Sequence, residues 1–514
     1  MSLALPSSSE SLWSGTELQR TVYAPPETDV DVDVAVVGAG ITGLSTAVML
    51  KRAGCRVAVL EGRHIGAATA GRSTAKISLL QGTRASTIER SAGRPAARDH
   101  VAAHRAGMDW LLQRASEVDC ALESRPAITY TTSAREGSVA RQVRREAELL
   151  ADVGLLARLD TDVNLPFAVT EAVVLADQAQ FDPKPYLYDL ASEVDGDGSS
   201  VHEHTRLRSV SWRAPHELRT TAGRVRARWV VLATGLPVLD RGLHSARMEP
   251  SRSYSVALRC DGKLPDALYL GADSPTRSLR TALHDDGDRL LLVGGNGHRV
   301  GTSAPMVAHE RDLVTWAQRY WTVTEVSHRW SAQDYQTEDG LPFLGPIGPM
   351  SPQVLVGFGF AKWGMTGGTA AAIALSDRVL GRSTPWASRM RADRFPRPAA
   401  LPTLAGANAQ VARHLVTGWT RPHLPGPDLA EGQGRVETTT RGKVARCRVD
   451  GALVERSAVC PHLGGIVQWN DAERSWDCPL HASRFAPDGT VLEGPTTEPL
   501  GTPPGLGAVV RPRR

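Results

Sequence analysis

Two cysteines and two histidines near the end of the chain have the types and spacing of metal ligands. Cys460 and His462 form a CxH pair, and Cys478 and His481 form a CxxH pair further along. Each segment supplies one thiol and one imidazole, which fits a [2Fe-2S] cluster with two thiolates on one iron and two imidazoles on the other. Tetrahedral zinc is the alternative, although a zinc finger pairs its cysteines with each other along the chain. The spacing therefore predicts a centre that transfers single electrons.

Residues 428–514 resemble the Rieske family on the segments CPHLGG and CPLHASRF. The resemblance implies an all-β domain. Gly465 and Leu480 stand where respiratory members carry a second pair of cysteines, so no disulfide is expected beside the cluster. Ser483 matches a serine that bonds cluster sulfur, whereas Phe485 replaces a tyrosine that bonds a ligand sulfur. Because hydrogen bonds to sulfur raise the potential, we expect a value below the respiratory type, within the family range of roughly −150 to +300 mV.

The other end of the chain has the pattern of a dinucleotide-binding unit. The apolar run 31–37 (DVDVAVV) predicts a buried strand, and Gly38, Gly40 and Gly43 follow as GxGxxG at the start of a helix pattern. A second apolar run, RVAVL, ends in Glu61. This spacing supplies a tight turn, a close approach for a diphosphate, helix packing and an acid for a ribose. A chance glycine-rich turn is the alternative.

Further segments resemble the D-amino-acid oxidase-like flavoproteins, which include glycine and sarcosine oxidases. They are ARWVVLATG (227–235), EDGLPFLGPI and VLVGFGFAKWGMTGGTAAAIAL (354–375), and the resemblance covers residues 28–385. GRSTAKIS and FAKWGMT, together with the Rieske motif, are similar to a bacterial subgroup that fuses the two domains. The resemblance implies FAD, held non-covalently because the flavin-side turn has no cysteine. It also implies a helix N-terminus around 364–368 that stabilises reduced flavin.

The turn and the resemblance together predict the site residues. The expected FAD contacts are Gly38, Gly40, Ile41, Thr42, Gly43, Glu61, Arg72, Ser73, Thr74, Leu207, Thr234, Gly235, Gly364, Met365 and Thr366. The catalytic candidates are Lys362, Tyr254 and His298, with Lys76 and Trp363 as further candidates. The alternatives are a surface lysine for Lys362, a packing role for Trp363 and an ordinary turn histidine for His298. Gly364 stands where sarcosine-oxidase-like members hold a substrate carboxylate with a basic residue, which counts against an amino-acid substrate.

The predicted fold is an α/β Rossmann-like FAD-binding domain interleaved with an α+β substrate domain, followed by an all-β Rieske domain. LLLVGGNGHRVG (290–301) resembles a second nucleotide turn, but no helix pattern follows, so we expect a substrate-domain strand. The predicted segments are an N-terminal extension (1–29), an oxidoreductase region (30–385) with FAD segments 30–90, 172–245 and 335–385 and substrate segments 91–171 and 246–334, a packed connector (386–427) and the Rieske domain (428–514).

Composition narrows the functional classes. A net charge of +4 on 514 residues gives no sign of nucleic-acid binding. No run approaches the roughly 20 apolar residues of a membrane span, and the first residues lack the pattern of a secretory signal. We therefore expect a cytoplasmic protein.

The two cofactors together predict an oxidoreductase. FAD would take two electrons from a small amine, amino acid or related metabolite, and the cluster would pass them singly to an external carrier. Two alternatives remain at this point. One is a reductase with the reverse electron flow, and the other is an electron-transfer or redox-sensing protein without a substrate of its own.

Overall fold

The structure, a computed structural model, describes residues 3–14, 20–301, 305–424, 426–440 and 442–503. Part of the predicted N-terminal extension and the end of the predicted Rieske domain, 504–514, lie outside these residues. Among the described residues, no helix has the length and apolar character needed to cross a bilayer.

The first sheet is mostly parallel and has the order β16-β17-β10-β1-β2-β7, with β9 beside β10 and β8 beside β9. Its central strands are buried valines, alanines and leucines, as expected when helices cover both faces. With strands and helices numbered along the chain, it contains β1 (Val30–Val37), β2 (Val57–Leu60), β7 (Ser200–His202), β8 (Leu207–Val210), β9 (His216–Thr220), β10 (Gly223–Gly235), β16 (Phe343–Pro346) and β17 (Val354–Phe358).

Three helices pack with this sheet: α1 (Ile41–Arg52), α5 (Pro183–Val194) and α7 (Gly364–Val379). Helix α7 is built from small residues because it lies close to its neighbours. A Cβ at Gly368 would lie 2.6 Å from Thr42 Oγ1, and one at Gly107 would lie 2.1 Å from Thr366 O. Gly368 thus lets α7 approach the start of α1, and Gly107 lets the helix Arg94–Ala115 approach the start of α7.

The second sheet is larger and mainly antiparallel, with the order β15-β11-β14-β13-β12-β4-β6-β3 and β5 beside β6. Its strands are β3 (Lys76–Ile77), β4 (Glu123–Thr131), β5 (Arg158–Asp160), β6 (Glu171–Gln180), β11 (Met248–Asp261), β12 (Leu268–Gly271), β13 (Arg277–Leu283), β14 (Arg289–Arg299) and β15 (Thr322–Thr337). The helices of this region are α2 (Arg84–Ala92), α3 (Arg94–Ala115), α4 (Ser138–Asp152) and α6 (Val307–Ala317).

Two details of the predicted organisation can be compared with this sheet. The segment LLLVGGNGHRVG, which resembles a second nucleotide turn, lies largely within β14. Because β14 pairs with β11 and β13, the expectation of a substrate-domain strand is confirmed. The predicted start of an FAD segment at residue 172 falls inside β6, which pairs with β4 in the second sheet. That boundary was misplaced because the apolar run EAVVLADQAQ gives no sign of which sheet it joins.

The C-terminal domain is made of two small antiparallel sheets. Trp476 and Phe485 are fully buried between them. The strands are β18 (Gly434–Thr439), β19 (Gly442–Val449), β20 (Ala452–Ser457), β21 (Gln468–Asn470), β22 (Ser475–Asp477), β23 (Arg484–Phe485) and β24 (Val491–Glu493).

The connector contains helix α8 (Leu401–Thr420). Val411 packs on the core of the C-terminal domain, in agreement with the predicted burial. Trp419 remains 46% exposed, because only its indole N–H is engaged, by Gly464 O at 2.9 Å. Short 3₁₀ turns occur at Leu12–Ser14, Thr69–Arg72, His244–Arg247, Pro385–Met390 and Pro398–Ala400.

Candidate functional site

The turn between β1 and α1 leaves room for a ligand at the helix N-terminus. Gly38 has a φ of +106°, and a Cβ there would lie 2.6 Å from Ala233 O. A Cβ at Gly43 would lie 1.9 Å from the Gly38 carbonyl oxygen, so Gly43 sets the packing of helix on turn. At Gly40 the nearest atom is Ala70 Cβ at 3.7 Å, an ordinary contact. The protein alone does not require glycine at 40, but a diphosphate at the helix N-terminus does.

Glu61 closes this unit at the end of β2. Its carboxylate accepts hydrogen bonds from the backbone N–H groups of Ala39 and Arg63, each at 2.9 Å. The side chains of Arg63 and Arg206 line the same cleft, and burial lowers the pKa of both guanidinium groups. Sequence reasoning missed both arginines, because neither lies in a motif. They place positive charge beside Glu61 on the wall of the cleft.

From this turn a cleft extends to the N-terminus of α7. Ala361 and Lys362 precede the helix with left-handed φ values of 48° and 75°. No side chain caps the helix at Trp363. The first N–H groups of α7 therefore remain available, with the partial positive charge of a helix start, beside Gly364 and Met365 on the cleft wall.

Most of the predicted FAD contacts line this cleft. They are Gly38, Gly40, Ile41, Thr42, Glu61, Ser73, Leu207, Thr234, Gly235, Gly364 and Met365.

Four predicted contacts have other roles. Gly43 lies behind the turn, Arg72 forms an ion pair of 2.7 Å with Glu473, Thr74 O accepts from Arg280, and Thr366 Oγ1 lies 2.7 Å from His104 Nδ1. The structure therefore gives no support to Arg72, Thr74 or Thr366 as direct FAD contacts.

The catalytic candidates do not line one common cavity, although burial and nearby cations that include Lys362 lower the pKa of His298. Lys362 lines the cleft. Tyr254 is fully buried, with its hydroxyl 3.1 Å from His298 Nε2, and His298 lines a second, smaller cavity. Lys76 is also remote, since its ammonium donates to Tyr269 O and Ser278 Oγ at 2.7 Å. The structure thus brings Lys362 to the cleft, but neither Tyr254 nor His298.

Three cleft residues that the sequence did not reveal come from β15. Gln333, Asp334 and Tyr335 lie at the end of the cleft near Lys362. Burial raises the pKa of Asp334 to about 6, although Lys362 and Arg84 act to lower it. No sequence motif marks this strand, and it reaches the site only through contacts between residues far apart in the sequence.

The two predicted ligand cysteines lie side by side in the C-terminal domain. Cys460 and Cys478 are 1% and 2% exposed. The neighbouring Cys478 thiol lowers the pKa of the Cys460 thiol, and the backbone N–H groups of His462 and Leu463 add to this effect. Sulfur atoms surrounded by N–H donors suit iron-bound thiolates.

The two predicted ligand histidines also lie together. The ring centroids of His462 and His481 are 5.1 Å apart. His481 Nδ1 is buried without a hydrogen-bond partner in the described structure. Burial and the neighbouring His462 lower the pKa of His481 to about 4, which favours the neutral, metal-binding imidazole. Thiols paired with thiols and imidazoles with imidazoles fit two irons with two ligands each.

The positions that carry a disulfide in respiratory Rieske members are neighbours here. A Cβ at Gly465 would lie 2.7 Å from Leu480 Cδ1 and 2.9 Å from Cys478 Sγ. Ser483 is fully buried and lies close enough to the Cys460 thiol to help lower its pKa. Phe485 is fully buried and supplies no hydroxyl.

A buried network of ion pairs holds the C-terminal domain on the oxidoreductase region. Arg72 binds Glu473 at 2.7 Å, and Arg252 binds Asp477 at 3.0 Å. Arg484 lies between these acids, 3.4 Å from Glu473 and 3.3 Å from Asp477. Burial alone would raise the pKa of Glu473, but Arg72, Arg484 and Arg252 hold it well below its usual range.

One hydrogen-bond chain joins the cleft to the second ligand loop. Arg252 Nη2 donates to Gln333 Oε1 at 2.9 Å. Gln333 Nε2 donates to Tyr335 Oη at 2.6 Å and to Ala482 O at 3.0 Å. Ala482 follows the ligand His481, so a cleft residue contacts the cluster loop directly.

The C-terminal domain also forms part of the cleft itself. Leu492, Glu493, Gly494 and Thr497 line its mouth. Arg206 Nη2 fixes this segment by donating to Val491 O at 2.8 Å. The two cofactor sites are therefore parts of one continuous structure.

The family comparisons agree with this geometry. Residues 33–378 match the model of the FAD dependent oxidoreductase (DAO) family, and residues 424–504 match the Rieske [2Fe-2S] domain. The chain belongs to the DAO family of FAD-dependent oxidoreductases and carries a C-terminal Rieske domain. It is an oxidoreductase that binds FAD and a [2Fe-2S] cluster.

One curated relative shares the whole arrangement. The chain is 31% identical over 497 residues to the Rieske 2Fe-2S iron-sulfur protein YhfW of Bacillus subtilis (strain 168), covering 96% of this chain and 97% of the relative.

Two solved structures share the fold of the oxidoreductase region. They are glycine oxidase from Geobacillus kaustophilus (TM-score 0.60, 20% identity, 72% of this chain and 100% of that chain) and L-proline dehydrogenase from P. horikoshii (0.58, 16%, 71% and 98%).

Proposed function

We propose that this enzyme oxidises a small amine, amino acid or related metabolite at FAD and releases the electrons singly, through the Rieske cluster, to an external carrier. When bound, FAD supplies the two-electron chemistry and the cluster supplies one-electron transfer. The observation that carries the proposal is the contact of Gln333 with both the FAD cleft and the loop of His481. Substrate oxidation and single-electron release can then occur in one molecule.

The interface supports transfer within the chain. Arg252 and Asp477 are 1% and 8% exposed, and Arg484 is 5% exposed. Separating the domains would leave Arg252 without its carboxylate partner Asp477, which is costly for a buried charge. We infer that the Rieske domain works from this docked position. The names of the two structural neighbours, glycine oxidase and L-proline dehydrogenase, point to substrates with a carbon–nitrogen bond.

The test is anaerobic reduction of the purified holoprotein by a panel of amines and amino acids. Flavin absorbance and the electron paramagnetic resonance signal of the reduced cluster are followed together. We expect flavin bleaching first and the cluster signal afterwards. If no compound bleaches the flavin, but a low-potential one-electron donor reduces it through the cluster, the physiological flow is the reverse and the enzyme is a reductase.

A cluster-deficient variant separates the two steps. Cys478→Ser removes one ligand, so substrate should still bleach the flavin while the cluster signal is absent. Cys447→Ser is the matched control, because Cys447 is buried in the same domain but lies on β19, outside the two ligand loops. Loss of flavin bleaching in Cys478→Ser, with FAD still bound, would contradict the order of transfer.

A further inference from the structure

Asp334 is the acid that the fold leaves without a partner at the end of the cofactor cleft. It lies on β15 between Gln333 and Tyr335, lines the cleft and is 9% exposed. Its Oδ2 has no hydrogen-bond partner in the described structure. Buried carboxylates are normally bonded to a donor. A molecule bound in the cleft could supply the missing donor, because Asp334 lines the cleft wall.

Two cations face Asp334 without binding it. Arg84, on α2, donates to Gly340 O instead. Lys362, in the turn before α7, is exposed on the cleft wall and forms no ion pair with Asp334 in the described structure. Burial raises the pKa of Asp334 to about 6, and Lys362 and Arg84 limit that rise. The group is thus ionised at neutral pH and acts as an acceptor.

We propose that Asp334 binds the nitrogen of the substrate, and that the substrate is a primary or secondary amine that enters as an ammonium ion. This assignment rests on the proposed function and names its substrate class. An ammonium group offers charge-assisted N–H donors to a carboxylate, whereas a substrate carboxylate at this point would be repelled. Gly364, where related oxidases carry a basic residue, agrees with a substrate that has no carboxylate there.

The test measures binding without turnover. The holoprotein is titrated with tert-butylammonium, which has no hydrogen on the carbon that bears nitrogen and cannot be oxidised in this way. Pivalate is the matched anion of similar shape. At pH 8 and constant ionic strength, tert-butylammonium should shift the visible flavin spectrum saturably, whereas pivalate should not. Lowering the pH below about 6 should weaken ammonium binding as Asp334 is protonated.

Two variants should move the dissociation constant in opposite directions. Asp334→Asn should weaken tert-butylammonium binding by roughly tenfold or more, because a charged partner is lost. Lys362→Met should tighten it, because a neighbouring positive charge is removed. If Asp334 and Lys362 only supported the structure of the cleft, both substitutions would weaken tert-butylammonium binding.

Several outcomes would overturn the assignment. One is an unchanged dissociation constant in Asp334→Asn, and another is binding of pivalate in place of the ammonium. A third outcome is that Asp334→Asn loses FAD readily but, once fully loaded with FAD, binds tert-butylammonium as tightly as the unchanged protein. The hydrogen-bond donor to Asp334 would then be FAD and not the substrate. If Asp334→Asn does not fold, weaker binding in Lys362→Met decides against the proposal. If tert-butylammonium binds as expected but no amine bleaches the flavin, the assignment of Asp334 stands and the proposed function fails.

Discussion

The two ligand loops of the cluster have opposite surroundings. The second loop, residues 478–483, faces the oxidoreductase region: Ala482 O accepts from Gln333, and a Cβ at Gly301 would lie 2.5 Å from Pro479 Cβ. The first loop, residues 460–465, contacts helix α8 through Trp419 and leaves Leu463 58% exposed. One iron-binding loop is thus locked on the flavin side, and the other reaches the surface.

Because of this difference, one side of the cluster site faces the FAD cleft and the other side faces the protein surface. In a Rieske centre each loop supplies one ligand to each iron. The cluster is therefore held between the second loop, here called the inner loop, and the first loop, here called the outer loop. The inner loop is held by hydrogen bonds and buried ion pairs, whereas the outer loop has an apolar tip. We infer that electrons are exchanged with FAD across the inner loop and with the external carrier across the outer loop.

The largest effect is expected from removing the cluster. Cys478→Ser should abolish the reduced-cluster signal and lower turnover with a one-electron acceptor by more than about 100-fold, because a ligand matters at least as much as the groups around it. Steady-state kinetics with a ferric dye measure the loss. If turnover with the dye persists, the dye is reduced at the flavin and the outer loop is not the exit.

Breaking the inner interface should have the next largest effect. Arg252→Met leaves Asp477 buried with fewer cations, and it should lower the free energy of unfolding by about 3 kcal/mol. Thermal unfolding followed by circular dichroism and cluster absorbance measures this. Arg52→Met is the matched control, because Arg52 and Glu193 form an exposed pair worth less than about 1 kcal/mol. Equal losses of unfolding free energy in the two variants would mean that the buried interface pair contributes no more to stability than the exposed pair.

The sequence revealed those parts of the molecule that are local. Cys460, His462, Cys478 and His481 lie within one short stretch, and Gly38 to Glu61 form one βαβ unit, so spacing alone predicted their roles. Asp334 and Gln333 could not be found, because they reach the cleft only when β15 pairs with β11. The ion pair of Arg72 with Glu473 could not be predicted for the same reason, since Glu473 lies in another domain; a role of Arg72 at FAD stays a prediction. A cytoplasmic location and the domain boundaries other than the one at residue 172 stay predictions.

Smaller effects are expected from two single substitutions, one at the contact of the inner loop and one at the tip of the outer loop, and the two should change different kinetic quantities. Gln333→Leu removes the hydrogen bond to Ala482 and should slow cluster reduction by the flavin several-fold, with little change in acceptor KM. Leu463→Ala should raise the acceptor KM several-fold and leave cluster reduction unchanged. Stopped-flow absorbance measures the first quantity and steady-state kinetics the second. If both variants change the same quantity, the inner and outer loops do not have separate roles.

The smallest effect concerns stability and pH, and it separates cleft acids from interface acids. Asp477 has a lowered pKa, because Arg252 and Arg484 outweigh the effect of burial, so its contribution to stability is present above its usual pKa and is lost in acid. Asp334 behaves in the opposite way: its pKa rises from 3.8 to about 6.

The folded state therefore binds a proton on Asp334 more tightly than the unfolded state, and stability falls as the pH rises from about 4 to 6. Asp334→Asn removes this loss and should stabilise the protein by roughly 1–3 kcal/mol above pH 6, with no gain below pH 4. Urea unfolding at pH 4 and pH 7.5 measures the difference. A gain of equal size at both pH values would show that ionisation of Asp334 is not its source. A gain confined to the higher pH would mean that the cleft keeps a charge at the expense of stability, as expected for a group that serves a ligand.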